Sequence, residues 1–155
     1  MDLQYKNGTQ CFNCRVVGVC VKEGKILLGR LRSDDYWTPL GGKPKFGEPT
    51  ESAILREYQE ETGAALHIDR LLSVIENFFT LDGNRWHQYI FFYLLTDPDN
   101  SLALFEGERA LLDESSAVYR WFPISILDTV TIKPDCIRSI IENLPDDVDH
   151  IVNVD

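Results

Sequence analysis

GKPKFGEPTESAILREYQEETGA, running from Gly42 to Ala64, is the stretch on which the reading of the fold turns. Its second half reads as a helix. Pro49 suits a first helical turn, where its missing N–H is not needed, and Glu51 places an acid near the positive helix N-terminus. The pattern continues to Thr62, and Gly63 supplies the C-terminal stop. At about 100° per residue, Glu57, Glu60 and Glu61 share an arc of roughly 100°. Three carboxylates on one helical face repel one another and destabilise the helix unless cations balance them. Arg56 neighbours Glu60 at i,i+4 and offsets one charge, not three. Taken alone, such a string is most often a solvated, ion-paired surface. It is also a good seat for Mg²⁺, a hard cation that prefers carboxylate and carbonyl oxygens, with Mn²⁺ as the other candidate. Such an ion bridges to a diphosphate, polarises its phosphorus and lowers the pKa of a bound water, while a remaining carboxylate accepts the proton.

Outward from this helix, residues 15–21 read as a strand, Lys22 to Lys25 as a turn and Ile26 to Leu31 as a second strand, together a hairpin. A polar loop from Arg32 leads through Trp37 to the pair Gly41-Gly42. Downstream, Leu71 to Thr80 and Trp86 to Thr96 carry the β-branched and aromatic residues of strands. Asp82-Gly83 between them is a hairpin signal. Residues 97–116 form a long, mostly polar connection. Tyr119 to Phe122 looks like a short final strand. Pro134 to Leu144 reads as a second helix with Ile137, Ile140, Ile141 and Leu144 on one face. The acidic tail follows, with Ile151-Val152 able to pin it to a sheet. Strands and helices therefore mix as in an α/β or α+β sandwich, and pattern alone does not choose the topology.

Bulk properties narrow the function classes. A chain of 155 residues, 44% apolar and 26% charged, suits one compact domain over residues 1–155. No apolar run reaches the roughly 18 residues of a membrane span. The first residues lack a signal-peptide layout, so a cytoplasmic location is expected. Fifteen basic against 25 acidic side chains give a net charge of −10, which disfavours duplex nucleic acid as a partner. A small phosphorylated ligand remains open if a cation stands between the two charges. Cys11 and Cys14 have the spacing of half a zinc knuckle, but no second pair follows, and thiols in the core or on the surface are the expected reading.

Spacing gives the acidic helix a sharper meaning. Gly42, five residues, Glu48, seven residues, then Arg56-Glu57-Tyr58-Gln59-Glu60-Glu61-Thr62-Gly63-Ala64 closely resembles the signature of the Nudix hydrolases, and all seven fixed positions are matched. The two bulky apolar positions are looser, with Tyr58 and Ala64. One departure lies upstream: the family often has Pro directly before the two glycines, and here Pro39 precedes Leu40. The resemblance implies an α/β fold, a Nudix-type α/β/α sandwich around a mixed β-sheet. It implies a Mg²⁺-dependent hydrolase that cleaves the phosphoanhydride of a nucleoside diphosphate linked to another group. Glu60 and Glu61 are then metal ligands with the Gly42 carbonyl, Glu57 is a ligand or the general base, and Arg56 orients the glutamates. Glu48 is structural or a ligand through water.

Some members take a further ligand or base from the loop before the last strand. Glu114 is the first candidate there, ahead of Glu106 and Glu108, against the ordinary alternative of a solvated loop acid. Gly41 and Gly42 let the backbone approach a ligand closely. Trp37 and Phe78, with Tyr36, Phe79 and Trp86, are candidates for stacking on a base, although aromatic side chains are more often core. His87 is a candidate phosphate contact, with a structural histidine the commoner case. A catalytically silent Nudix-like binding module is the main rival, but those usually lack a carboxylate of the signature. An isopentenyl diphosphate isomerase and a plain acidic metal-binding protein fit less well. The partner expected is a small nucleoside diphosphate derivative, without membrane association, and a homodimer is left open.

Overall fold

Asp82 (φ 49°) and Gly83 (φ 74°) turn the chain sharply back between its two longest strands, as the Asp-Gly pair predicts. The computed structural model describes residues 1–155. In chain order its elements are β1 (Gln4–Asn7), β2 (Gln10–Cys20), β3 (Lys25–Leu31), β4 (Thr38–Pro39), β5 (Gly41–Gly42), α1 (Thr50–Thr62), β6 (His67–Leu81) and β7 (Asn84–Thr96). They are followed by β8 (Arg109–Ala110), β9 (Ala117–Pro123), a 3₁₀ turn (Ile124–Thr129), α2 (Cys136–Glu142) and β10 (Asp149–Val154). The β6–β7 hairpin is the centre of a mixed sheet ordered β1-β2-β7-β6-β10, with β5 paired to β2. Strands β2 and β10 run parallel to β7 and β6, and the remaining pairs are antiparallel. A second sheet, β4-β3-β9-β8, is antiparallel throughout.

Strand alternation divides the core in two. One apolar cluster takes Val17, Val19, Ile75, Ile90 and Phe92 from the large sheet against Ile137, Ile140 and Ile141 of α2. The other takes Val16, Cys20, Tyr93 and Leu95 from that sheet against Ala53, Ile54 and Tyr58 of α1. Helices thus cover both faces of a mixed sheet, the α/β arrangement that the resemblance implies. No helix is long and apolar enough to cross a membrane.

Two expectations need correction. The segments 15–21 and 26–31 are both strands, but they do not pair as a hairpin ladder. Glu23 (φ 50°) and Gly24 (φ 70°) make the turn, one bridge joins Lys22 to Lys25, and the strands then diverge into different sheets. The edges of β2 are taken by β1, β5 and β7 instead. Second, Pro49 occupies the N-cap rather than the first turn, and its carbonyl accepts from Ala53 N at 3.0 Å. Where the family often has Pro before the two glycines, Leu40 is buried here and fills the space over Gly29.

Helix α1 is locked to β2 by a buried bond, Tyr58 Oη donating to the Gly18 carbonyl at 2.8 Å. Tyr58 stands where the family signature has an apolar residue, so its hydroxyl must find a partner in the core. Tyr58→Phe leaves the ring in place and takes the donor away. The expected loss is about 1–2 kcal/mol, read as a lower urea midpoint at unchanged slope. An unchanged midpoint would show that this bond adds nothing to the docking of α1.

Candidate active site

Helix α1 turns Ala53, Ile54 and Tyr58 into the core, which brings the intervening charged residues to its rim. Arg56 is the hub of that rim. Its Nε and Nη2 donate to the two oxygens of Glu48 (2.8 and 3.0 Å), and Nη2 also reaches the Lys43 carbonyl at 3.2 Å. Its Nη1 donates to Glu57 Oε1 at 2.9 Å and to Glu60 Oε2 at 3.2 Å. Sequence spacing alone pairs Arg56 with Glu60; the structure joins it to three acids. Glu48 is fixed further by the Lys45 N–H at 2.9 Å. The Arg56 guanidinium, helped by that N–H, holds the Glu48 carboxyl down at about 2. Arg56 is held more firmly protonated in return.

Glycine is required beside this cluster. A side chain built on Gly42 would overlap the carboxylate of Glu57, and one on Gly41 would run into the Val16 carbonyl and the Val17 Cα. The two glycines therefore let β5 lie flat on β2 while Glu57 folds over it.

Glu57, Glu60 and Asp113 each bring a carboxylate oxygen within 4.8 Å of the others. Asp113 is the residue that sequence reasoning missed. The loop carrying it is tied to α1 by the Leu112 N–H on the Glu61 carbonyl at 2.9 Å. Its neighbour Glu114 turns away and accepts from the N–H of Ser116 at 3.2 Å. Glu108 faces Arg30 at 3.5 Å, and Glu106 is exposed. None of these three joins the cluster, because the tether at Leu112 selects the next residue and no periodicity in the loop reports it.

Glu61, expected as a ligand, stands outside the group of Glu57, Glu60 and Asp113. It is 8% exposed, and its Oε2 is buried with no hydrogen-bond partner. Burial pushes its carboxyl up to about 8, against the pull of Arg15 and with the repulsion of Glu57, Asp113 and Glu60. Burial likewise raises Glu57, opposed by its bond to Arg56. An orphaned buried acceptor beside three clustered carboxylates is what a hard divalent cation satisfies. The donor set fits Mg²⁺ or Mn²⁺.

On the side of β2 that carries Arg15 opens a cavity of about 560 Å³, which none of the α1 carboxylates lines; Arg15 links the two, close enough to pull on Glu61. Arg15, Arg30 and Lys133 line the cavity, with Tyr36, Phe79 and Trp86. The last two rings stack at 5.9 Å between centroids. Trp37 and Phe78 lie elsewhere. Trp37 packs edge-on against Phe122 at 4.8 Å with Arg30 over its face at 4.7 Å. Phe78 sits over His87 at 4.4 Å in a second cavity on the other side of the sheet. Pleating sends Cys11 and Cys14 to opposite faces of β2, so they cannot share an ion.

Glu61 makes the metal-free protein pH-sensitive. Its folded-state carboxyl, at about 8, holds a proton that the unfolded chain releases near 4.5. The folded state therefore binds more protons between those values, and stability must fall as pH rises across that window. Thermal unfolding in chelator from pH 5 to 8 should show this decline, and Glu61→Gln should remove that component. A variant curve parallel to the wild type would show that Glu61 is not the group responsible.

The NUDIX domain family model matches residues 13–144. The Nudix hydrolase YvcI of Bacillus subtilis is 25% identical over 113 residues, which cover 72% of this chain and 66% of that protein. The chain thus spans just under two thirds of the length of that relative. Among solved structures, the mutator MutT protein of Bacillus halodurans superposes with a TM-score of 0.62 at 18% identity, over 89% of each chain. A UDP-X diphosphatase does so with a TM-score of 0.57 at 24% identity, over 90% of this chain and 66% of the other. Both structural likenesses speak for the fold. With the family model spanning most of its length and the signature acids gathered on α1, the chain belongs to the Nudix family.

Proposed function

We propose that this protein is a divalent-metal-dependent pyrophosphohydrolase that cleaves the phosphoanhydride of a nucleoside diphosphate linked to a second group. The observation that carries this reading is the buried, unpartnered oxygen of Glu61 beside the clustered carboxylates of Glu57, Glu60 and Asp113. A solvated acidic face has no use for such an oxygen. Glu57, Glu60 and Glu61, with Asp113 and the Gly42 carbonyl, are the groups that would hold Mg²⁺. Bound there, the ion supplies polarisation of the anhydride and a more acidic water.

The chain's own residues have separate tasks. Glu57, half-buried and raised by burial, is in this reading either a metal ligand or the base that takes the proton of the attacking water. The water oxygen bonds to phosphorus, the bridging P–O bond breaks, and the bridging oxygen leaves with the electron pair on the departing phosphate. Arg56 is a positioning residue, since all its N–H groups are engaged by the protein. Arg15 stands in the cavity without an ion-pair partner and offers its guanidinium to the diphosphate. The cavity then receives the nucleoside. A net charge of −10 makes the cation necessary for an anionic substrate, and Arg15 adds a positive charge to a lining that also holds Asp34 and Asp155.

A panel of nucleotide anhydrides incubated with Mg²⁺ tests the reading. Hydrolysis in ¹⁸O-labelled water should place the label on an anhydride phosphorus and release a nucleoside monophosphate. Glu60→Gln keeps the shape of the side chain but drops a charge, and turnover should fall about a hundredfold or more with the fold intact. Near wild-type turnover in that variant would remove Glu60 from the metal site. Good hydrolysis of phosphomonoesters with every anhydride untouched would show that the reaction is a different one.

A further inference from the structure

Four amide side chains cross the large sheet in one row. Asn13 on β2, Gln88 on β7, Asn77 on β6 and Asn153 on β10 are successive register partners. The first three are 6%, 8% and 4% exposed. Asn153 Nδ2 donates to Asn77 Oδ1 (2.9 Å), Asn77 Nδ2 to Gln88 Oε1 (3.2 Å), and Gln88 Nε2 to Asn13 Oδ1 (2.9 Å). Every bond points the same way. The direction is set at the far end, where Asn153 Nδ2 also donates to the carboxylate of Asp155 at 3.3 Å, a group that can only accept.

Polarity of this kind propagates. If Asn13 turned over alone, its NH₂ would face the NH₂ of Gln88, and the buried bond between the two would be lost. The row therefore terminates on Asn13 Nδ2, a pair of N–H donors at the wall of the cavity. Arg15, two residues along the same face of β2, is also donor-only. Both groups ask for oxygen acceptors on the ligand.

We propose that the cavity selects nucleosides whose base turns a carbonyl oxygen towards Asn13, so that keto bases are bound in preference to their amino counterparts. This rests on the reading of α1 as the diphosphate site. Val16 pairs with Gly42, the residue under Glu57. Arg15 is one residue from that point and Asn13 three, a difference of roughly 7 Å along the strand, which a pentose bridges. An amino group at Asn13 would set donor against donor. A site built to satisfy one hydrogen-bonding group rejects its opposite strongly.

Binding of nucleoside monophosphates reads the preference without turnover. In titration calorimetry with Mg²⁺, UMP is compared with CMP and GMP with AMP. The keto member of at least one pair should bind about tenfold more tightly, and the amino member of neither pair should win. Asn13→Leu takes away the donors and Gln88→Leu frees Asn13 to turn over, so both should bring that ratio near one. Circular dichroism identifies which variants fold, and either folded variant suffices. Equal affinities in the wild type, no binding of any of the four, or an unchanged ratio in a folded variant would overturn the proposal. A keto preference without hydrolysis of any anhydride would uphold the specificity and sink the hydrolase reading. Hydrolysis with no preference of base would do the reverse.

Discussion

Arg56 has five N–H bonds, and the structure gives them five acceptors: two oxygens of Glu48, the Lys43 carbonyl, Glu57 and Glu60. A planar fork can do this where an ammonium cannot, because the donors leave in fixed directions. Two consequences follow. The loop from Lys43 to Glu48 is tied to the middle of α1, which holds β5 and the helix in one frame. The carboxylates of Glu57 and Glu60 are brought side by side with one positive charge between them, which keeps the cluster tolerable in the absence of a metal. Gly42 completes the arrangement by leaving the space that Glu57 occupies.

Glu61 lies outside that compensation. Its backbone carbonyl anchors the loop of Asp113, while its side chain points into a buried site with one oxygen unpaired. The two features are coupled. The bond that seats Leu112 on α1 brings Asp113 towards Glu57 and Glu60, and the same placement raises the negative potential at Glu61. Every carboxylate added to the group makes Glu61 harder to ionise and a divalent cation more welcome. The fold therefore stores electrostatic stress at one end of α1, and Arg15 is the nearest relief that the protein itself provides.

The acidic helix was legible in the sequence because its information is local. Spacing places Glu57, Glu60 and Glu61 on one arc, and the glycines and Arg56 sit at fixed offsets from them. The β6–β7 hairpin was legible for the same reason, since Asp82-Gly83 sets its own turn. What escaped depends on partners far along the chain. Glu23-Gly24 turns the chain as expected, but β2 finds its long partner in β7, and nothing between residues 15 and 31 reports that. Asp113 and Glu114 are chemically alike neighbours, and a single backbone bond decides between them. Trp37 and Phe78 advertise apolar area, not the face it covers, and their neighbours Tyr36 and Phe79 are the ones that line the cavity. The amide row needs four strands in register before it exists at all.

Strand β2 links these levels. Its even positions face α1: Val16 packs in that core, and Gly18 receives the hydroxyl of Tyr58. Its odd positions face the cavity, where Asn13 and Arg15 stand beside Val17. A pleated strand cannot shift by one residue without exchanging the two sets, so its register fixes the position of the acidic helix and the donor pattern of the cavity together. The side chains remain independent within that frame. A change at Asn13 alters what the cavity accepts without touching the contacts of α1, and a change at Tyr58 loosens α1 without altering the donors. Divergence in substrate can then proceed at odd positions of β2 and their partners on β7 and β6, while the acids of α1 stay where Arg56 holds them.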